Sequence, residues 1–280
     1  EPPLQVHRYN ATTYILRENL CSTFEAPFMY LLIGQKRALL IDTGDVADPK
    51  AMPLAKTVTA LLPHGLPLLV VHTHRHMDHR AGDPQFATLP NVQVVGYDID
   101  SVKRFYDFTR WPEGVAQVDL GGRVIDVLPT PGHNETEVSF YDRNTALFFS
   151  GDFLMPGRLL VDDASAYVAS ANRAVAFLKD KPVRAILAGH IEMTADGGLE
   201  PWESQYHPNE RALPMTKADL LALPAALAGF NGFYLQSGKF TMINSLNILE
   251  VGGIGVLIVI AGLIWFLIHF FRRRRRARLA

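Results

Sequence analysis

Apolar residues recur along this chain in two rhythms. Phe28–Ile33, Ala38–Ile41, Leu68–Val71, Val92–Val95, Val124–Leu128, Glu137–Tyr141, Ala146–Phe149 and Ala185–Ala188 are short apolar runs with the length and side-chain types of buried strands. Gly34-Gln35-Lys36-Arg37 predicts a hairpin turn between the first two. Elsewhere apolar residues stand three or four apart. Ser165–Lys179 places Val168, Ala171, Val175 and Leu178 on one helical face. Further helices are predicted over 53–62, with Pro53 near the first turn, and over Asp98–Phe108. Asp83-Pro84 reads as an N-cap and first-turn proline for a short helix to Leu89. Thr216-Lys217-Ala218-Asp219 has the form of a capping box opening a helix to Ala228. Strands alternating with helices predict an α/β domain.

A third pattern closes the chain. Val251–Phe271 holds no charge and one polar side chain, His269. As a helix it spans about 31 Å, close to the roughly 30 Å of a bilayer's hydrocarbon core. Glu250 bounds it on one side and five consecutive arginines on the other. The expected organisation is a domain over 1–235, a juxtamembrane connector over 236–250, one transmembrane helix over 251–271 and a basic tail over 272–280.

Charge supports that division. The formal net charge is −1, yet Arg272–Arg276 and Arg278 supply six of the 27 Lys and Arg, which leaves 21 against 28 Asp and Glu. An acidic body lacks the clustered cations that phosphate contacts need, so no nucleic-acid partner is expected. The positive-inside rule puts the arginine tail in the cytoplasm and the domain in a periplasm or outside the cell. The first residue is Glu1 and not Met, so either a leader has been removed or the sequence is trimmed; an outside domain requires the former. At 48% hydrophobic and 20% charged, the chain is not disordered, and its one cysteine, Cys21, cannot form an internal disulfide.

Histidine placement brings in the chemistry. His74-Arg75-His76-Met77-Asp78-His79 crowds four metal-type ligands into six residues. In extended backbone, residues two apart face the same side, so His74 and His76 can grip one ion while Asp78 and His79 face a second. Imidazole and carboxylate suit zinc, and also iron or manganese. The other candidates each follow a predicted strand: His133 after Pro129-Thr130-Pro131-Gly132, Asp152 after Ser150-Gly151, and His190 after Gly189. Rigid strand ends are where α/β folds build their sites. His7, His64 and His269 read as ordinary surface or packing residues. His72 reads as packing, or as support for a ligand.

Together with Leu39-Leu40-Ile41-Asp42-Thr43-Gly44, these segments resemble the metallo-β-lactamase superfamily over residues 28–190. The resemblance implies an αββα sandwich with metals at one sheet edge. It implies His74, His76 and His133 on a first metal, Asp78, His79 and His190 on a second, and Asp152 bridging the two. Asp42 would orient the ligand loop. Some β-lactamases of the superfamily carry Cys, or Ser, where this chain has Asp152. The aspartate form resembles the glyoxalase II, lactonase and arylsulfatase-like branches. Many lactonases have a tyrosine soon afterwards, whereas Phe153, Leu154 and Met155 follow here.

The implied chemistry is hydrolysis, by a metal-bridging hydroxide, of an ester, lactone, thioester, amide or phosphodiester. Two zinc ions per chain are expected, and Asp78 would orient the hydroxide or pass on its proton. Two other readings remain: a mononuclear iron persulfide dioxygenase on the same scaffold, and a non-catalytic metal-binding module anchored in the membrane. The expected partners are a small-molecule substrate and the lipid bilayer. His207 is the candidate substrate contact. Tyr106, Phe108 and Trp111 read as a pocket wall or as core. Arg158 reads as an anion contact or as a solvated arginine. Phe230, Phe233, Tyr234 and Phe240 read as interfacial aromatics or as a wall facing lipid-borne substrate.

Overall fold

Three strands show how the core is organised. In β3 (Phe28–Ile33), β4 (Ala38–Ile41) and β5 (Leu68–Val71) every residue is buried. Successive side chains point to opposite faces. Tyr30, Leu32, Leu39, Ile41, Leu69 and Val71 therefore enter one apolar cluster, and Met29, Leu31, Leu40 and Val70 enter another. Strands buried on both faces must lie inside a layered structure.

The computed structural model describes residues 2–277. Residues 1 and 278–280, and the side chains of 268 and 270–277, lie outside the described residues, so the expected basic tail is described only as helical backbone to Ala277. The first sheet adds β1 (Leu4–Asn10), β2 (Thr13–Glu18) and β6 (Val92–Val94) and runs in the order β1-β2-β3-β4-β5-β6. Its first four strands are antiparallel, and β4, β5 and β6 are parallel. The second sheet is built from β7 (Ala116–Asp119), β8 (Val124–Pro129), β9 (Val138–Asp142), β10 (Leu147–Gly151) and, beyond β11 (Arg158–Leu160), β12 (Ala185–Ala188), in the order β12-β10-β9-β8-β7. Only the β10–β12 pair is parallel there.

Helices cover the outer faces. α1 (Leu54–Leu61) buries Leu54, Ala55 and Val58 in the cluster behind the first sheet. α2 (Ile99–Tyr106) contributes Val102 and Tyr106 to the larger cluster, which also takes α3 (Ala164–Leu178) and α4 (Lys217–Ala228). The expected α/β sandwich is therefore present. A third, small sheet sets β11 beside β14 (Phe240–Ile243), which pairs in turn with β13 (Tyr234–Ser237). α5 (Ser245–Ala277) follows directly. By length and composition its Ser245–Leu267 stretch can cross a membrane, and none of its most apolar window is buried.

Several sequence expectations change here. The helix expected from Asp83 to Leu89 is one 3-10 turn, Asp83–Gln85. The Asp83 carboxylate does not cap it; Oδ1 accepts from Thr43 Oγ1 at 2.8 Å and lies 2.8 Å from His72 Nε2. Residues 236–250, expected as a connector, contain the end of β13, all of β14 and the first turns of α5. Among the four expected interfacial aromatics, Phe240 is buried in the core and Phe230 packs on it, whereas Phe233 and Tyr234 are exposed. Tyr106 meets Phe108 at a tilt and Phe108 meets Trp111 edge-on, within the core and its edge.

Candidate metal centre

Four strands deliver the candidate ligands at their C-terminal ends. β5 runs into His72-Thr73-His74, and a 3-10 turn at Met77–His79 then turns Asp78 and His79 back toward His74. β8, β10 and β12 lead to His133, Asp152 and His190. Gly189 permits the close approach. A Cβ there would stand 2.4 Å from Asp152 Oδ1 and 2.8 Å from His79 Cε1. Gly151 has φ +55°, and a Cβ on it would strike Thr73.

The seven residues form two adjoining groups, each with donor atoms within 4.8 Å of one another. In the first, His74 Nε2 and His133 Nε2 lie 2.9 and 3.0 Å from His76 Nδ1. In the second, His190 Nε2 is 3.1 Å from His79 Nε2, and Asp78 Oδ2 is 3.2 Å from each. Asp152 faces both. Its Oδ1 lies 3.5 Å from His79 Nε2 and 3.6 Å from His190 Nε2, while Oδ2 lies 3.6 Å from His133 Nε2. Oδ1 is buried without a hydrogen-bond partner. An orphaned carboxylate oxygen among imidazole lone pairs is costly unless a cation joins them. The donor set therefore fits a pair of divalent metal ions.

The far side of each ring is anchored. His79 Nδ1 donates to Asp42 Oδ2 at 3.0 Å. The same carboxylate accepts from Thr73 N at 2.7 Å and from Thr73 Oγ1 at 2.9 Å. Thr73 Oγ1 in turn lies 3.1 Å from His74 Nδ1. His190 Nδ1 donates to the Glu25 carbonyl at 2.8 Å and His133 Nδ1 to the Leu160 carbonyl at 3.2 Å. These partners fix the tautomers and leave Nε2 lone pairs facing inward. Asn134 Nδ2 stands 3.1 Å from His76 Nε2. Asp42 holds its place at φ 65°, a conformation rare for residues other than glycine.

The two groups differ electrostatically. Burial, reinforced by His133, lowers His76 to about 4, and burial with His79 beside it lowers His74 as well. In the second group burial also opposes the imidazolium, but the carboxylates outweigh it. Asp152 and Asp78 raise His190 to about 10, and Asp78, Asp152 and Asp42 raise His79. Burial disfavours ionised Asp78 and Asp152, yet the neighbouring imidazoles hold both well below the usual carboxylate range. The second group thus favours positive charge, from protons or from a metal.

Both groups open into a cleft of about 160 Å³ lined by Phe24, Glu25, Arg158, Leu160, Trp202 and His207, among others. His207 is held there: its Nδ1 lies 3.0 Å from Glu210 Oε1, and Arg17 grips Glu210 through two bonds of 2.6 Å. Arg158 is not a solvated arginine. It donates to the Glu200 carbonyl at 2.6 Å, approaches Glu192 at 3.5 Å and lies over the Trp202 ring. Sequence reasoning missed Arg17, Glu210, Trp202 and Glu137. Glu137 is buried, and its Oε1 accepts from Asp152 N at 3.1 Å. Burial and the nearby Asp152 push its carboxyl up. A charged residue at the head of a buried strand, directly after the His133 segment, was the available signal. His72 stays outside both groups, as do His7, His64 and His269.

Comparison with known proteins extends this picture. A family model described as the metallo-beta-lactamase superfamily matches residues 22–190. An acyl-coenzyme A thioesterase MBLAC2 from Gallus gallus is 26% identical over 218 residues, covering 64% of this chain and 77% of that protein. A hydroxyacylglutathione hydrolase from Stenotrophomonas maltophilia is 29% identical over 228 residues, covering 76% and 82%. Among solved structures, a metallo-beta-lactamase from Pontibacter korlensis superposes with a TM-score of 0.54 at 17% identity, over 81% of this chain and 100% of that one. That likeness is one of fold.

Proposed function

Because the chain belongs to the metallo-β-lactamase superfamily, we propose that it is a dinuclear metal-dependent hydrolase acting on an acyl ester, lactone or thioester. The observation that carries this reading is Asp152, which turns one oxygen toward His79 and His190 and the other toward His133. His74, His76 and His133 would hold one ion, Asp78, His79 and His190 the other, and Asp152 both. Nitrogen and oxygen donors in this number suit zinc. Two divalent cations held there would bring the pKa of water toward neutrality and polarise the bond to be cut. Asp78 lines the cleft in ionised form, so it accepts a hydrogen bond from the attacking water and orients it. Asp42 keeps His79 in one tautomer, and His207 forms part of the wall that meets the substrate. The thioesterase and hydrolase names of the relatives support acyl transfer to water.

α5 is read as the anchor of this enzyme. Its row of exposed Leu, Ile, Val and Phe side chains carries far more apolar surface than water tolerates, and a bilayer is the environment that covers it. The arginines that follow favour a cytoplasmic tail, with the hydrolase domain on the opposite side.

Testing requires the full chain in detergent and a panel of lactones, thioesters, β-lactams and phosphodiesters. At least one acyl compound should be hydrolysed, with activity lost to a chelator and restored by zinc. Hydrolysis that is indifferent to chelation would contradict the reading.

A further inference from the structure

The cleft wall and the apolar helix are joined by an unbroken run of hydrogen bonds. Leu160, at the end of β11, lines the cleft, and its carbonyl accepts from His133 Nδ1. β11 pairs with β14 in parallel, setting Leu160 beside Ile243, and Val161 N donates to the Ile243 carbonyl at 2.8 Å. Asn244 comes next. Its Nδ2 donates to the Asp162 carbonyl at 3.3 Å and its N to the Phe233 carbonyl at 2.9 Å. Its Oδ1 accepts from Asn247 N at 2.8 Å, capping α5, which starts at Ser245.

No flexible linker separates the domain from the helix, and that has a geometric consequence. Neighbouring strands lie about 4.8 Å apart and each peptide step spans about 3.8 Å. Leu160 is therefore within about 13 Å of Ser245. From Ser245 to the charge-free stretch at Val251 an upright helix adds about 9 Å, and less when tilted. The cleft wall hangs at most about 22 Å above the hydrocarbon. The surface around the junction matches that position. Phe233 just before β13, Tyr234 at its start, and Leu246 and Leu249 on α5 are exposed beside it. Exposed aromatics next to an apolar span are suited to the headgroup layer. Phe24 and Trp202 give the cleft rim an apolar edge of its own. The lining beyond the metal-type residues is acidic. Glu192, Glu200 and Glu203 line it together with one arginine, Arg158, already engaged by Glu192 and the Glu200 carbonyl, while burial pushes the Glu25 carboxyl up to about 7. Such a wall repels polyanions.

We propose that the cleft draws its substrate from the bilayer: a long-chain acyl ester with a neutral or zwitterionic head. The inference rests on the hydrolase reading and on α5 as a membrane span. Water oxygen bonds to the acyl carbon, the ester C–O bond breaks, and the leaving alkoxide takes up a proton from the water. The products are a fatty acid and an alcohol. A soluble substrate would be served equally well by a domain on a flexible tether, whereas a membrane-borne one needs the site held at the surface.

The test uses the full chain, loaded with zinc and reconstituted in phosphatidylcholine vesicles. One probe is umbelliferyl oleate dissolved in the vesicles, another is water-soluble umbelliferyl acetate, and a third is oleoyl-coenzyme A. In the comparison variant a Gly/Ser insert of about twelve residues, reaching roughly 20 Å, separates Asn244 from Ser245. The insert should slow oleate cleavage at least about tenfold and leave acetate cleavage within about twofold. With the unaltered chain, the oleate rate should follow the mole fraction of ester in the bilayer when inert lipid is added, and oleoyl-coenzyme A should be cut at least about tenfold more slowly. Oleate turnover that ignores the insert or follows bulk concentration overturns the inference, as does a preference for oleoyl-coenzyme A. Acetate cleavage without oleate cleavage overturns it alone, and failure on all three probes takes the hydrolase reading down as well.

Discussion

At His79 and His190 a proton and a metal ion compete for the same nitrogen. The carboxylates around them raise His190 to about 10, so near neutrality an arriving cation must displace a proton. His76 is lowered to about 4 and gives up none. Binding at the second group should therefore tighten from pH 6 to pH 9, by up to about tenfold per pH unit for each proton released, and more steeply than binding at the first. Competition with a chromophoric chelator measures both, and equal slopes would contradict the assignment. All seven residues that come together were legible in the sequence, because each sits at a strand end or within one six-residue segment. Their supports were less so. Asp42 was legible through its motif. The Arg17–Glu210 pair joins positions 193 residues apart, and no local pattern announces such a contact.

Elements were legible in proportion to their burial. β3, β4 and β5 are apolar throughout because both faces are covered, and their bounds agree with the sequence reading. β1, β7 and β13 are half-exposed, so polar residues dilute their pattern, and the short strands β11 and β14 are recognisable only through the small sheet they form with β13. Asp83 failed as a cap because Thr43 and His72 claim its carboxylate. Thr216 succeeded: its side chain accepts from Asp219 N while Asp219 accepts from Thr216 N, a complete capping box on α4. Thr216→Ala should cost about 1 kcal/mol in denaturant unfolding and leave the rate per folded molecule unchanged. Lost activity at unchanged stability would place α4 in the site instead.

At the scale of the whole molecule, a metal-type site in a sandwich is fixed to a long apolar helix without a hinge. The orientation proposed here puts the domain outside and the arginines inside, since charged side chains cost roughly 2.5–3.5 kcal/mol each even at the centre of an inserting helix. Protease added to intact cells or spheroplasts should cut the domain; protection until lysis would reverse the topology. Catalysis itself turns on a smaller feature, the proposed joining of two metal ions by Asp152 into one unit. Metal content per chain, measured on the purified full chain beside Asp152→Ala, tests it most directly. Close to two ions are expected in the native chain, with the variant falling toward one and losing hydrolysis. A single iron in the native chain, or a variant that keeps two ions and full activity, would contradict it.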